Sequence, residues 1–356
     1  MRRKNLTVKR KVKKIKSLKK DLKINQIYNK FKTTTFKILK NQRFAIAVSG
    51  GSDSLCLAYL SKLYSSDYKN KLDILIVDHK LRKESSKEAT KVKNILNKKK
   101  MTCKILRWKG KIPKKNIQKN ARNMRYSLIS NYCAKKNIKF LITAHHMDDQ
   151  IENFFIRLFR GSGLVGLSSM SEVAQYNNNL KIVRPFLNFK KTDLEYVALK
   201  FFKTYIKDPS NEDDKYLRVR IRKNRKKFEE EGLNSSKIIK TLSNLVSAKE
   251  ALSYYKEKSL HKHVSFLSKD KCVISEKMFS EEASEIVFKS FSDILSLISG
   301  AYYPPRSKKV LNLINRLKKN NFNKSTLGGC IIEKENNFIL ITKEPKTRKL
   351  AYQLVK

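Results

Sequence analysis

The chain has 356 residues, 40% of them hydrophobic, and a formal charge of +50 from 81 Lys and Arg against 31 Asp and Glu. That length allows two or three domains, and that apolar content supplies real cores, which excludes a wholly disordered basic chain. No run approaches the ~18 consecutive apolar residues of a membrane helix, and no apolar stretch follows the basic N-terminus as in a secretory signal.

Residues 1–24 read as a basic tail, frayed or folded only on contact with a partner. From about residue 43 to 160, short apolar runs alternate with helical patterns. Strands are expected at 44–49, 72–78, 103–108 and 140–143, and helices at 53–65, 84–100, 114–136 and 147–160. Such alternation predicts an α/β fold, a doubly wound and mainly parallel sheet whose ligands sit beyond the carboxyl ends of the strands.

Three strand ends carry chemistry. After the first comes Ser49-Gly50-Gly51-Ser52-Asp53-Ser54. Two glycines let backbone amides approach an anion, the following helix adds its positive N-terminal end, and hydroxyls and a carboxylate can hold phosphate directly or through Mg²⁺. It lacks the Gly-Lys-Ser/Thr ending of a Walker loop; an ordinary Gly-rich turn is the competing reading. After the second strand come Asp78 and His79. After the fourth comes His145-His146-Met147-Asp148-Asp149-Gln150-Ile151-Glu152. On a helix, Ile151, Phe154, Phe155 and Leu158 form the buried stripe, while His145, Asp149 and Glu152 share an adjacent one with Asp148 on its border. That suits a Mg²⁺ site, a general base or a clamp for a cationic substrate; acidic residues that merely complement a helix dipole are the alternative.

Arginines punctuate the same region. Arg122 and Arg125 lie three apart on one helical face, where planar forks suit phosphate. Arg160 ends the acidic helix, Arg184-Pro185 fixes an extended segment, and Asp208-Pro209-Ser210-Asn211 reads as a turn. Arg218, Arg220 and Arg222 alternate as along a strand or strap that meets an RNA backbone. Beyond about 225, helices are expected at 235–260, 281–298 and 306–319. A hairpin with an Asn336-Asn337 turn closes the pattern. The five cysteines, Cys56, Cys103, Cys133, Cys272 and Cys330, include no Cys-x-x-Cys pair, which argues against disulfide, zinc or iron–sulfur frameworks and for a reducing cytoplasm. The charge favours a nucleic acid over a lipid surface, although abundant Lys, Asn and Ile ascribe part of it to coding bias.

Taken together, the phosphate loop, Val77-Asp78-His79, Ala121-Arg122 through Tyr126, Thr143-Ala144-His145-His146 through Gln150, Arg160-Gly161-Ser162-Gly163-Leu164, Arg184-Pro185 and Asp208 to Asn211 resemble the tRNA(Ile)-lysidine synthases. These belong to the N-type ATP pyrophosphatases of the PP-loop superfamily. The match runs unbroken over about 43–222. It implies an adenine nucleotide alpha hydrolase-like sheet in a catalytic domain over 25–222, and a helical and α+β tRNA-binding region over 223–356.

The resemblance further implies ATP and Mg²⁺ as cofactors, and tRNA(Ile) with a CAU anticodon and L-lysine as partners. Self-association as a homodimer stays open. ATP would be held by Ser49 to Ser54, Asp78 and His79, and a metal by Asp53 and Asp149. The chemistry would fall to Asp53, His145, Asp148 and Asp149. Asp148, Asp149 and Glu152 would recognise lysine, and the six arginines at 122, 125, 160, 218, 220 and 222 would meet phosphate or tRNA. A tRNA thiolase of the same superfamily is the alternative. Lys80, Asn153 and Val219 depart from the family's usual Gly, Thr and Asn.

Overall fold

The structure, a computed structural model, describes residues 21–345 apart from 82–83, 111–116, 169, 207–212, 216, 302–303 and 320–321. The turn expected at 208–211 therefore lies outside the described residues. The chain divides into two compact units, Met1–Leu242 and Ser243–Lys356.

The first unit is built on a six-stranded sheet of order β3-β2-β1-β4-β6-β5. Its strands are β1 (Phe44–Ala47), β2 (Leu72–Asp78), β3 (Cys103–Arg107), β4 (Phe140–Ile142), β5 (Val173–Asn177) and β6 (Leu180–Val183). All neighbours pair in parallel except the β5–β6 hairpin at the edge. The helices are α1 (Leu22–Leu39), α2 (Ser52–Tyr68), α3 (Ser85–Lys98), α4 (Ile117–Lys135), α5 (Met147–Leu158), α6 (Leu164–Leu167), α7 (Lys191–Phe202) and α8 (Leu217–Glu230). Helix α9 (Ser235–His263) contains the division between the units.

Strand alternation separates two cores. Phe44 and Ile46 of β1, Ile74 and Ile76 of β2 and Ile142 of β4 face one core shared with α1, α2, α3 and α7. Ala45, Leu75, Leu141 and Ile182 face the other, which α4 closes with Tyr126, Ile129 and Cys133. Because β1 feeds β2 on one side and pairs with β4 on the other, the order of strands reverses between β1 and β4. The loops after these two strands flank the crevice that such a reversal opens.

Several expectations are corrected. Helix α1 begins at Leu22, capped by Asp21, whose carboxylate accepts from Ile24 N at 3.1 Å. Ile24 is fully buried, so the last residues assigned to the tail are core. The first unit extends beyond 222, the end expected for the first domain, because Ile238 and Leu242 of α9 pack with Ile221, Ile151 and Phe155. Arg218, Arg220 and Arg222 lie on helix α8, not on an extended strap. Val219 there is buried, which removes it from any surface contact. Leu158 is 45% exposed, outside the buried stripe of α5.

The second unit contains an antiparallel sheet, order β7-β8-β11-β10-β9, with β7 (Val264–Ser268), β8 (Lys271–Ser275), β9 (Lys324–Leu327), β10 (Cys330–Glu335) and β11 (Phe338–Lys343). The β10–β11 hairpin turns at Asn336-Asn337, with Asn336 in the left-handed region (φ 50°) that such turns demand. Helices α10 (Met278–Glu281), α11 (Ser284–Ser299) and α12 (Ser307–Leu317) join it. Phe291, Ile294 and Ile298 of α11 and Val310, Leu313 and Leu317 of α12 share a core with Cys272, Ile274, Ile332 and Ile341 of the sheet. Among the described residues, no helix is long and apolar enough to cross a membrane.

Candidate active site

At the crevice between β1 and β4, an open cleft is lined by Ser49, Gly51, Asp53, Ser54, His79, Arg122, Arg125, His145 and Asp149 among others. The phosphate loop owes its shape to local necessity. Gly50 sits at φ +96°, where a Cβ would come 2.5 Å from Val92 Cγ2. The Ser54 hydroxyl accepts from the Ser49 and Gly50 amides at 3.2 and 3.0 Å and donates to Gly51 O at 3.0 Å. Ser54 thus braces the loop from inside, and Ser52 is buried beside Asp53. Gly51 is the N-cap of α2, and no side chain caps that end. The first amides of α2 are left for an anion in the cleft.

Asp78, expected at a nucleotide, is engaged in hydrogen bonds within the chain. It is 1% exposed and accepts from Ser85 Oγ at 2.6 Å, Ser86 Oγ at 2.7 Å and Lys80 N at 3.1 Å. Burial opposes its charge, but these three donors prevail and hold the carboxyl below its usual range. It ties the end of β2 to the start of α3, while Lys80 adopts φ +54°, a conformation that glycine reaches without strain. His79 does line the cleft, 3.2 Å from Arg125 Nη2; burial and that guanidinium lower its pKa to about 4.

The acidic motif is reorganised by its helix start. Met147 is the first residue of α5 and His146 its N-cap, so His145 lies before the helix and does not share a helical stripe with Asp149 and Glu152. His146 Nδ1 accepts from Asp148 N at 3.2 Å, and Asp149 Oδ2 accepts from His146 N at 3.1 Å. On its other edge, His146 Nε2 stands 3.5 Å from Asp53 Oδ2 and 3.6 Å from Asp149 Oδ2. Burial disfavours the imidazolium, but hydrogen bonding to Asp53 and the surrounding carboxylate charges outweigh it and raise the pKa. His145 is held by Thr143 Oγ1, 2.9 Å from its Nδ1. Burial, opposed by Asp149 and reinforced by nearby arginines, lowers its pKa to about 4, so it is neutral at pH 7.

Two carboxylates expected to clamp lysine are already paired. Glu152 lies between Arg218 Nε at 3.1 Å and Arg222 Nη2 at 2.7 Å, with its own side chain only 5% exposed. Asp148 is bound by Arg225. Both are neutralised by α8, which leaves Asp149 as the carboxylate facing the cleft beside Asp53. Arg220 turns away and donates to the Asp214 and Lys215 carbonyls. Arg160 is exposed and lines neither the cleft nor the adjoining cavity.

An adjoining cavity shares Arg122 and His145 with the cleft and is further lined by Asn153, Arg157, Arg184 and Arg218. Burial works against the charges of Arg157 and Arg184. Sequence reasoning missed His146, Asn153, Arg157, Arg184 and Arg225 as site residues. The i, i+4 spacing of Asn153 and Arg157 on the acidic helix was the signal available for that pair; the Arg225 contact needs the α5–α8 packing.

Among the described residues, no cluster of three or more His, Cys, Asp or Glu is arranged to hold a metal. Asp53 and Asp149 both line the cleft and both lie beside His146 Nε2, and these two carboxylates are the donors there that suit Mg²⁺, which commonly takes one or two carboxylates and completes its shell with substrate phosphates and water.

Residues 17–227 match the family model of the PP-loop domain. The tRNA(Ile)-lysidine synthase of Orientia tsutsugamushi is 36% identical over 314 residues, covering 86% of this chain and 70% of that protein. The synthases of Wolbachia pipientis (35%; 85% and 71% covered) and Rickettsia felis (34%; 89% and 74% covered) are similarly related. A solved U34-tRNA thiolase from Methanococcus maripaludis with its 4Fe–4S cluster has a similar fold, with TM-score 0.55 and 19% identity over 64% of this chain and 80% of that one. With the PP-loop at the strand reversal and identities of this size over most of its length, the chain belongs to the tRNA(Ile)-lysidine synthase family.

Proposed function

We propose that the protein uses ATP to activate the wobble cytidine of an isoleucine tRNA with a CAU anticodon, then ligates L-lysine to C2 to give lysidine. The observation that carries this reading is the uncapped start of α2 facing Asp53 and Asp149 in one cleft. A cytosine carbonyl oxygen is a poor leaving group. Attack of that oxygen on the α-phosphorus of ATP releases pyrophosphate and leaves an O-adenylated cytidine, from which the amine can displace AMP; a site that binds the departing pyrophosphate favours the first cleavage. The α2 amides receive the phosphates, and Asp53 and Asp149 would hold Mg²⁺, which would offset the charge of the phosphate oxygens.

The second step needs a neutral amine. With a reference pKa near 10.4, only about one lysine in a few thousand is neutral at pH 7. Asp149 attracts the ammonium into the cleft, and neutral His145, with Nδ1 engaged by Thr143, offers Nε2 as a proton acceptor. Arg122 and Arg125 of the cleft lining meet phosphate, and the second unit, itself basic, offers tRNA contacts of its own. A cytoplasmic setting accords with that substrate.

The thiolase alternative finds no support in the cysteines. Cys56, Cys133, Cys272 and Cys330 are buried and Cys103 half-buried, all free. Burial pushes Cys133 and Cys272 up to about 12 and Cys330 to about 11, the opposite of an activated thiolate. The test of the first step is Asp53→Asn. The variant should fold yet lose tRNA-dependent pyrophosphate release; release at the wild-type rate contradicts the role assigned to Asp53.

A further inference from the structure

Neither chemical step uses His146, a side chain only 5% exposed that lies beside both cleft carboxylates. Its two ring nitrogens are committed in different directions. Nδ1 accepts from Asp148 N at 3.2 Å and caps the start of α5. A ring nitrogen that accepts carries no proton in that bond, so the ring hydrogen sits on Nε2. Nε2 stands 3.5 Å from Asp53 Oδ2 and 3.6 Å from Asp149 Oδ2. Distances so nearly equal mean that one N–H is shared by two carboxylates.

Those carboxylates reach the cleft from different elements. Asp53 belongs to the first turn of α2, after β1, and Asp149 to the first turn of α5, after β4. Like charges side by side repel, and the carboxyl torsion of an aspartate is soft, so the pair does not align itself. Local bonds hold each one only to its own helix start: Asp53 Oδ1 accepts from Ser52 Oγ at 3.2 Å, and Asp149 Oδ2 from His146 N at 3.1 Å. The His146 ring is the contact that reaches both. Asp148, whose Oδ2 is 3.8 Å from Nδ1, is bound by Arg225 and does not draw the ring away. Hydrogen-bond partners behind metal-ligating groups orient them, and losing one typically costs about 10–100-fold in metal affinity.

We infer that His146 is a positioning residue, which aligns Asp53 and Asp149 through Nε2–H as a pair for the cation that accompanies ATP, while Nδ1 separately caps α5. The inference rests on the ligase reading above, in which these carboxylates hold Mg²⁺, and adds the group that sets them toward each other.

Substitution separates the two roles. Asparagine places an amide oxygen where Nδ1 stands and is among the best N-caps, but it is too short to reach the carboxylates. Glutamine places an amide N–H near the position of Nε2 and is a poor cap. The test measures ATP binding to the full chain by calorimetry, with Mg²⁺ and with EDTA, beside thermal melting without nucleotide. His146→Asn should melt close to the wild type and bind ATP normally in EDTA, yet lose about tenfold or more of the gain in affinity that Mg²⁺ gives. His146→Gln should melt lower and keep most of that gain. If it does not fold, His146→Asn decides alone. A folded His146→Asn protein with the wild-type Mg²⁺ gain overturns the inference and leaves His146 a helix cap. Equal loss in both variants also overturns it, because a general disturbance of the cleft would do the same. Failure of the metal reading itself is read separately, as an unaltered protein whose ATP affinity is indifferent to Mg²⁺.

Discussion

Replacing Gly50 by Ala should damage the protein in a way that replacing its neighbour does not. The new Cβ at Gly50 would lie 2.5 Å from Val92 Cγ2 and 3.3 Å from Ile206 Cδ1. Val92 is buried and β-branched, so it cannot swing away cheaply. The backbone cannot rotate to relieve the clash either, because Gly50 N donates to Ser54 Oγ and Gly50 O accepts from Ile206 N at 2.9 Å. A positive φ at a non-glycine residue costs about 1–2 kcal/mol and overpacking about 1–3, so the sum is about 2–5 kcal/mol. For a unit of this size that lowers the melting temperature by roughly 5–15 °C. Gly51, at φ −69°, has nothing within 4 Å of its would-be Cβ. Gly51→Ala should melt near the wild type but bind ATP more weakly, since its methyl group enters the phosphate space. Thermal melting with and without ATP measures both. A Gly50→Ala protein as stable as wild type, or two variants equally destabilised, would refute the reasoning.

His79 and His145 are held neutral with pKa values near 4, whereas the unfolded chain protonates them from about 6.5. The unfolded state thus binds more protons in that window, so stability is full above about pH 6.5 and declines as pH falls toward 4. The double variant His79→Gln/His145→Gln should show a flatter acid limb in denaturation midpoints, and an unchanged slope counts against this. Glu152→Gln leaves Arg218 and Arg222 facing a neutral amide and should cost about 1–3 kcal/mol in urea denaturation, with a change below 0.5 speaking against the pairing. Replacing all five cysteines by Ala or Ser should preserve lysine incorporation in a variant that circular dichroism finds folded; a cysteine requirement favours the thiolase chemistry. Affinity for tRNA should fall steeply with salt while ATP affinity changes little; a salt-insensitive complex would deny the phosphate contacts.

The parallel sheet was legible because each strand is a compact apolar run followed by a patterned helix, as at Phe44–Ala47 and Ser52–Tyr68. Helix α1 was hidden by its lysines, although Ile24, Ile27, Tyr28 and Phe31 keep a buried face at helical spacing. The β5–β6 hairpin escaped because Val173–Asn177 is an edge strand with a mixed polar face. The loop and the acidic motif were readable as chemistry because both fall at strand ends. Their partners were not, since Arg225 meets Asp148 across 77 positions and Arg222 meets Glu152 across 70. The alternation of Arg218, Arg220 and Arg222 misled because period two in three residues cannot separate a strap from one helical turn. On α8 the first and third come together on Glu152 and the second faces away.

The most direct measurement is mass analysis of the wobble nucleoside after the protein is incubated with ATP, isotopically labelled lysine and the isoleucine tRNA bearing a CAU anticodon. Lysidine carrying the label at that position, formed only when ATP is present, is the expected result. An unmodified cytidine after incubation with the folded protein, or sulfur in that tRNA in place of lysine, would contradict the ligase account.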